Sequence, residues 1–275
     1  MTHPPARRIA VLMATHNDGT DLADAARSLL QGTCPVDLFI VDDGSSPALT
    51  LPASISATVI RLDANVGLTR ALNIGLSHIL PRQYDYIARM DADDYSHPER
   101  IARQLAMLEQ HPHLAGVGCW ANFVAPGSDK VLFPFHPPTA PADIARRLLT
   151  SNCVLHPAWL LRAETFAKLG GYDEQFPVAQ DYELLARANA QGLRFANVGE
   201  VLLDYRVSPN GISLRRRRRQ LQARLRIQCR HFQPAAPRCW LALGKTTLLM
   251  CIPEPLLRRM KQFLGNAGAG AGAAP

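Results

Sequence analysis

The sequence of 275 residues contains no apolar run near the roughly 20 residues needed to cross a bilayer. Its N-terminal apolar stretch, Ile9 to Ala14, is too short for the core of a secretion signal, so the sequence predicts a cytoplasmic protein. Cysteine is sparse and unpatterned. Cys34, Cys119, Cys153, Cys229, Cys239 and Cys251 lie far apart with no C-x-x-C pair, which argues against a zinc knuckle and a disulfide framework. Acidic residues are nearly missing from one end. Residues 214–275 hold 13 Lys and Arg against Glu254 alone, a charge of +12, whereas residues 1–213 hold 17 against 22, a charge of −5; together they make the net +7. A mildly acidic body with a basic tail predicts a separate partner for the tail, most often an anionic surface.

What is present is ordinary globular composition, 47% hydrophobic and 19% charged, enough for a substantial core. Ile9–Ala14, Val36–Val41 and Thr58–Leu62 have the length and β-branched content of buried strands. Between and after them, Thr20–Gln31 places Leu22, Ala25, Ala26, Leu29 and Leu30 on one helical face, and Gly67–Leu80 repeats Leu68, Leu72, Leu76 and Ile79. A fourth strand runs into Met90-Asp91-Ala92-Asp93-Asp94. After it, Ser96-His97-Pro98-Glu99 has the form of a capping box opening a helix with Ile101, Leu105 and Leu108. Strands alternating with helices of this length predict an α/β fold, a mostly parallel sheet with helices on both faces. In such sheets ligands bind beyond the carboxyl ends of the strands.

Three of those ends are polar and mostly acidic: Thr15-His16-Asn17-Asp18, Asp42-Asp43-Gly44-Ser45 and Asp91-Ala92-Asp93-Asp94. Asp-Asp-Gly-Ser alone is also a good turn sequence, because Asp and Ser bond their own backbone and Gly accepts positive φ. Crowded carboxylates raise one another's pKa, so three acidic ends on one edge call for a cation or hydrogen-bond donors to hold them ionised.

These segments carry a resemblance. VLMATHNDG, FIVDDGSS, LDANVGLTRALNIGL, YIARMDADDYSHPERIARQL, HPAWLLRAETFAKLGGYDEQF and QDYELLARANAQGLRFANVGEVLLDYRVSPNGIS, in this order, resemble a family 2 glycosyltransferase of the GT-A fold across about residues 7 to 213. The resemblance implies a Rossmann-like nucleotide-diphospho-sugar transferase that inverts the anomeric centre and moves one sugar at a time. The Q-x-x-R-W of processive relatives is missing. It implies a nucleotide-sugar donor, a carbohydrate or lipid-linked acceptor and a divalent metal, Mg²⁺ or Mn²⁺, which prefers the hard oxygens of a D-x-D pair. Asp93 would hold the metal and Asp91 would share it while touching the ribose. Asp43 would meet the nucleobase beside a pocket of Ala14, Thr15 and His16, and Arg70 would meet phosphate. Asp181, in the place usually written Glu-Asp and here Gln180-Asp181, would be the catalytic base.

Two features depart from that pattern. Gln180 removes a negative charge beside the base, which should leave the Asp181 pKa lower than in a Glu-Asp pair. Ser208 stands where many relatives have a metal-binding histidine after Tyr205-Arg206. His156 is read as a structural or acceptor-contact residue. The domain division expected is 1–213 for the transferase, 214–265 for a basic helical extension and 266–275, NAGAGAGAAP, for a disordered Gly/Ala tail. Within the extension, Leu214, Leu221, Leu225 and Phe232 fall near one face among arginines, as in a helix lying on anionic lipid at the inner membrane face. Two alternatives stand beside transfer: a sugar-nucleotide-binding relative without turnover, and nucleic-acid binding through the run Arg215–Arg219.

Overall fold

In the computed structural model of the chain, residues 7–17, 19–207 and 217–252 are described. The first strands form where the apolar runs predict them: β1 (Ile9–Thr15), β2 (Asp37–Asp42), β3 (Ala57–Arg61) and β4 (Tyr86–Arg89). They lie side by side in the order β3-β2-β1-β4, all parallel, with Thr15 beside Asp42 and Leu12 beside Arg89. Parallel pairing brings the ends of β1, β2 and β4 to one edge. The alternation of β1 divides the core: Ala10 and Leu12 pack on one face with α2 (Leu68–Ile79), and Ile9, Val11 and Met13 on the other with α1 (Gly19–Leu30). Gly75 of α2 sits so close to the sheet that a Cβ there would lie 2.3 Å from Leu12 Cδ1.

Beyond β4 the sheet turns mixed. β8 (Leu160–Arg162) pairs antiparallel with both β4 and β6 (Leu114–Val124), while β9 (Arg194–Arg206) runs parallel to β6. The two-residue β5 (Tyr95–Ser96) closes the edge antiparallel to β9, and β7 (Val131–Phe135) pairs with β6. Here the expected capping box is corrected. Ser96 is in β5, its N–H donating to Ser28 Oγ at 3.1 Å, and α3 (Arg100–Gln110) begins after Glu99 with no side-chain cap. Pairing with β9 held Ser96 extended, so its hydroxyl could not turn back onto the helix.

The remaining helices are α4 (Pro141–Leu148), α5 (Ala163–Leu169), α6 (Gln180–Ala190), α7 (Arg217–Arg230) and α8 (Pro237–Cys251). Helix α7 belongs to the basic segment, yet Ala223 and Ile227 are buried in the same core cluster as Leu76, Phe176 and Leu184. Arg224 and Gln228 both donate to the Thr150 carbonyl, at 2.9 and 2.7 Å. Leu221, Leu225 and Phe232 are half-buried. Leu214 and residues 266–275 lie outside the described residues. Among the described residues, no helix is long and apolar enough to cross a membrane.

Candidate active site

The ends of β1 and β2 are laced together by their own polar groups. Asp43 N–H donates to the Thr15 carbonyl at 2.9 Å, and His16 Nδ1 donates to the Asp43 carbonyl at 2.7 Å. Asn17 N–H donates to Ser45 Oγ and Ser46 N–H to Asn17 Oδ1, at 2.9 and 2.8 Å. The two aspartates of Asp-Asp-Gly-Ser then part company. Asp42 is wholly inside the turn, accepting the N–H groups of Ser45 and Leu49 and the Arg61 guanidinium. Burial pushes its pKa up, but these donors outweigh it and hold the carboxylate below its ordinary range. Asp43 points along the chain to the loop before α2, accepting N–H from Val66 at 2.7 Å and Gly67 at 3.0 Å. Gly44 makes the turn possible, with φ of 71°.

β4 ends at Arg89, and Ala92-Asp93 form a turn where an extended continuation of the strand was expected. The turn keeps Ala92 in the core, leaves Asp91 and Asp93 partly exposed, and carries Asp94 inside. Arg89, a charged residue in an otherwise apolar strand, is 1% exposed and forms an ion pair with Asp91. Part of the counter-charge that the acidic run calls for therefore comes from the strand itself. Asp94 Oδ1 accepts the N–H of Arg206 at 3.0 Å, while its Oδ2 is buried without a partner among the described residues. Burial first, then the charges of Asp91 and Asp93, push the Asp94 pKa well up. Tyr205 stands over this turn, its hydroxyl pKa raised by burial and then by Asp91, with its ring 4.6 Å from Phe123.

Asp181 lies in the first turn of α6, which starts after a left-handed Ala179 of φ 57°. Asn152 Nδ2 donates to Asp181 Oδ2 at 2.7 Å. Burial raises the Asp181 pKa against the pull of the N–H donors and Asn152, and the charge of Asp91 adds to the rise. Asp181 and Asp91 are thus close enough to feel one another, although 90 positions separate them in sequence. Tyr172 is near both, its hydroxyl pKa raised by burial and then by the charges of Asp181 and Asp91. His156 Nε2 is 2.9 Å from the Tyr172 hydroxyl and its ring packs edge-on to Trp159. Burial and the Arg89 charge push the His156 pKa well down, so the ring is neutral.

The expected site residues fall as follows. Ala14, Thr15, His16 and Asp43 share the β1–β2 end; Asp91 and Asp93 share the β4 end one strand over; Asp181 is near enough to Asp91 to feel its charge; Arg70 is exposed in the first turn of α2. Thr15 Oγ1 is buried with no partner among the described residues. Ser208 lies outside the described residues. Sequence reasoning missed Arg89, Asn152 and Tyr205. Arg89 had a signal, a lone charge in a buried strand; Asn152 and Tyr205 had none, because only tertiary packing brings them in.

Among the described residues, no three His, Cys, Asp or Glu side chains form a ready cage for a metal. Two partly exposed carboxylates one residue apart, with the orphaned Asp94 Oδ2 behind them, instead fit a hard cation that takes its other ligands from phosphate and water.

The profile of the family described as "Glycosyl transferase family 2" matches residues 10–170. The chain belongs to that family. Among curated relatives it is 28% identical over 217 residues to the amylovoran biosynthesis glycosyltransferase AmsE of Erwinia amylovora, covering 75% of this chain and 79% of the relative. It is 24% identical over 220 residues to the UDP-Gal:alpha-D-GlcNAc-diphosphoundecaprenol beta-1,3-galactosyltransferase of Escherichia coli, covering 73% and 74%. A match of 32% over 170 residues to an uncharacterised glycosyltransferase of Haemophilus influenzae covers 62% of this chain and 61% of that relative's length. Among solved structures, residues 1–349 of Staphylococcus aureus TarS in complex with UDP-GlcNAc superimpose with a TM-score of 0.65 at 15% identity, covering 87% of this chain and 71% of the other. The mannosyltransferase PcManGT of Pyrobaculum calidifontis in complex with GDP-Man and Mn²⁺ gives 0.60 at 16%, covering 94% and 80%. These likenesses bear out the GT-A fold, and the protein is a glycosyltransferase.

Proposed function

We propose that this glycosyltransferase moves a single sugar from a nucleotide-diphosphate donor to an acceptor hydroxyl by direct displacement with inversion. The observation that carries the reading is Asp181 itself: a carboxylate held by Asn152, its pKa raised by burial and by the charge of Asp91 in the acidic turn of β4. Asp91 and Asp93 would hold Mg²⁺ or Mn²⁺, which when bound supplies Lewis acidity for the diphosphate leaving group. Support for a metal comes from the hard-oxygen donor set and from PcManGT, solved with GDP-Man and Mn²⁺.

Arg89 fixes Asp91 and leaves Asp93 as the outer carboxylate of the pair. Asn152 fixes one oxygen of Asp181, which directs the other toward an incoming hydroxyl and stabilises the ionised form a base requires. The β1–β2 end, with the orphaned Thr15 hydroxyl and the His16–Asp43 pair, would take the nucleoside. The likeness to the amylovoran and diphosphoundecaprenol transferases supports an acceptor on the way to a polysaccharide, carried on a lipid diphosphate.

The test is a panel of sugar nucleotides incubated with Mn²⁺, Mg²⁺ or chelator, read as sugar transfer and as donor binding by calorimetry. Asp93→Ala is expected to lose metal-dependent donor binding. Asp181→Asn is expected to keep it while turnover falls about 10²–10⁴-fold. Transfer undiminished in Asp181→Asn removes the base assignment, and undiminished transfer in excess chelator removes the metal.

A further inference from the structure

Two arginines of helix α7 reach back to the domain, while Arg218 and Arg219 are exposed. Arg230 reaches Asp173 at 2.8 Å and the buried Glu183 at 3.4 Å, and Arg226 and Arg230 both lie over the Phe176 ring. The exposed large apolar residues of the segment are on the next helix. On α8, Trp240, Leu241 and Leu248 are 60%, 74% and 63% exposed, the three most exposed large apolar residues of the described chain. The opposite side of α8 is already covered, with Cys239, Ala242 and Thr246 buried. Positions 240, 241, 244 and 248 follow one another at helical spacing, so Trp240, Leu241, Gly244 and Leu248 share one face.

Arg238 and Lys245 are exposed on the same helix, Lys245 four residues from Leu241 and three from Leu248. From 217 to 252 the sequence has eight Lys and Arg and no acid, and beyond it come Arg258, Arg259 and Lys261 against Glu254.

We infer that the Trp240, Leu241 and Leu248 face of α8, bordered along one edge by Arg238 and Lys245, is a docking surface for an anionic lipid bilayer. An aromatic and two leucines beside long basic side chains match an interface, where apolar groups enter the acyl boundary and the cations stay among the headgroups. Each basic side chain near such a surface strengthens the attraction to anionic headgroups. A second copy of the chain fits less well: a two-fold contact would set Arg238 and Lys245 against their own copies. The docking face is anchored to the domain. Trp240 packs edge-on to Phe232 at 4.7 Å, Arg217 Nη2 donates to the Leu249 carbonyl at 2.7 Å, and α7 in turn holds Glu183, two residues from Asp181. The inference stands apart from sugar transfer, because lipid binding needs no turnover.

The test uses the full chain with phosphatidylcholine vesicles, with and without phosphatidylglycerol, in sedimentation and in tryptophan fluorescence. Expected are binding to the anionic vesicles that salt weakens and a blue shift in emission, lost in Trp240→Phe while binding remains. Leu241→Ser with Leu248→Ser is expected to weaken binding at least about tenfold, with circular dichroism and melting unchanged, since both residues are exposed. Lys245→Glu serves as a second, independently folding variant and is expected to weaken binding to anionic vesicles alone. The inference is overturned if the full chain does not bind anionic vesicles, if the double serine variant binds them as tightly as the parent, or if light scattering shows a dimer that the double variant dissolves in place of any lipid binding.

Discussion

The β1–β2 edge and the α6–α7 contact hold their charges in different ways. At the edge most donors are backbone N–H groups: Asp42 accepts those of Ser45 and Leu49 beside the Arg61 guanidinium, and Asp43 accepts those of Val66 and Gly67. At the contact the donors are cations. Glu183, which is fully buried, takes Arg187 from its own helix and Arg230 from 47 residues away. Loops can turn a run of acids into a scaffold largely with backbone donors, whereas the buried Glu183 on its helix is matched by two guanidinium groups, one of them brought from α7. The basic segment beyond residue 214 is thus in part a structural counter-ion for the helix that carries Asp181.

The sharpest way to break this comparison is at Glu183. Glu183→Ala is expected to cost about 3–5 kcal/mol, because it strands Arg187 in a largely enclosed site and cuts the tie to α7. Chemical denaturation measures it, and a loss comparable to that of Asp143→Ala would refute the import of charge. Asp143 forms an exposed pair with Arg146, worth under about 1 kcal/mol. Next in size is Ile227→Ala, expected to cost about 2–4 kcal/mol in the same assay, since Ile227 is buried in the core shared with α6. A loss below about 0.5 kcal/mol would mean that α7 is laid on the domain without being part of it.

The smallest effect sharpens the site. Burial, reinforced by Asp91, raises the Asp181 pKa, and a base works only when ionised, so transfer is expected to fall as pH drops through a limb lying above the ordinary carboxylate range. Asn152→Ala removes a donor that favours the ionised form, and the limb should move to still higher pH. A limb that stays in place in a pH–kcat profile would detach Asn152 from the base.

Much of the first half was legible. The runs Ile9–Ala14, Val36–Val41 and Thr58–Leu62 became β1, β2 and β3 within a residue or two at each end, because a buried parallel strand leaves a continuous apolar signal. The Ser96–Glu99 box misled, since a local hydrogen-bonding motif was outcompeted by pairing of β5 with a strand more than 100 residues downstream. The contacts of α7 with the domain were not legible either. Nothing along the basic segment marks Arg226 and Arg230 as the two that meet the Phe176 ring, or Arg230 as a partner of the buried Glu183.

The sequence by itself determined the parallel strands, the acidic ends and the residue types able to hold a nucleotide sugar, since each rests on periodicity and turn chemistry within a few residues. Only the tertiary structure decided that Asp181 comes near Asp91, that Asp42 is structural and that α8, with α7 packed inward, offers the outward apolar face. Those outcomes depend on which distant groups exclude water together, and burial of that kind has no period to read along a chain.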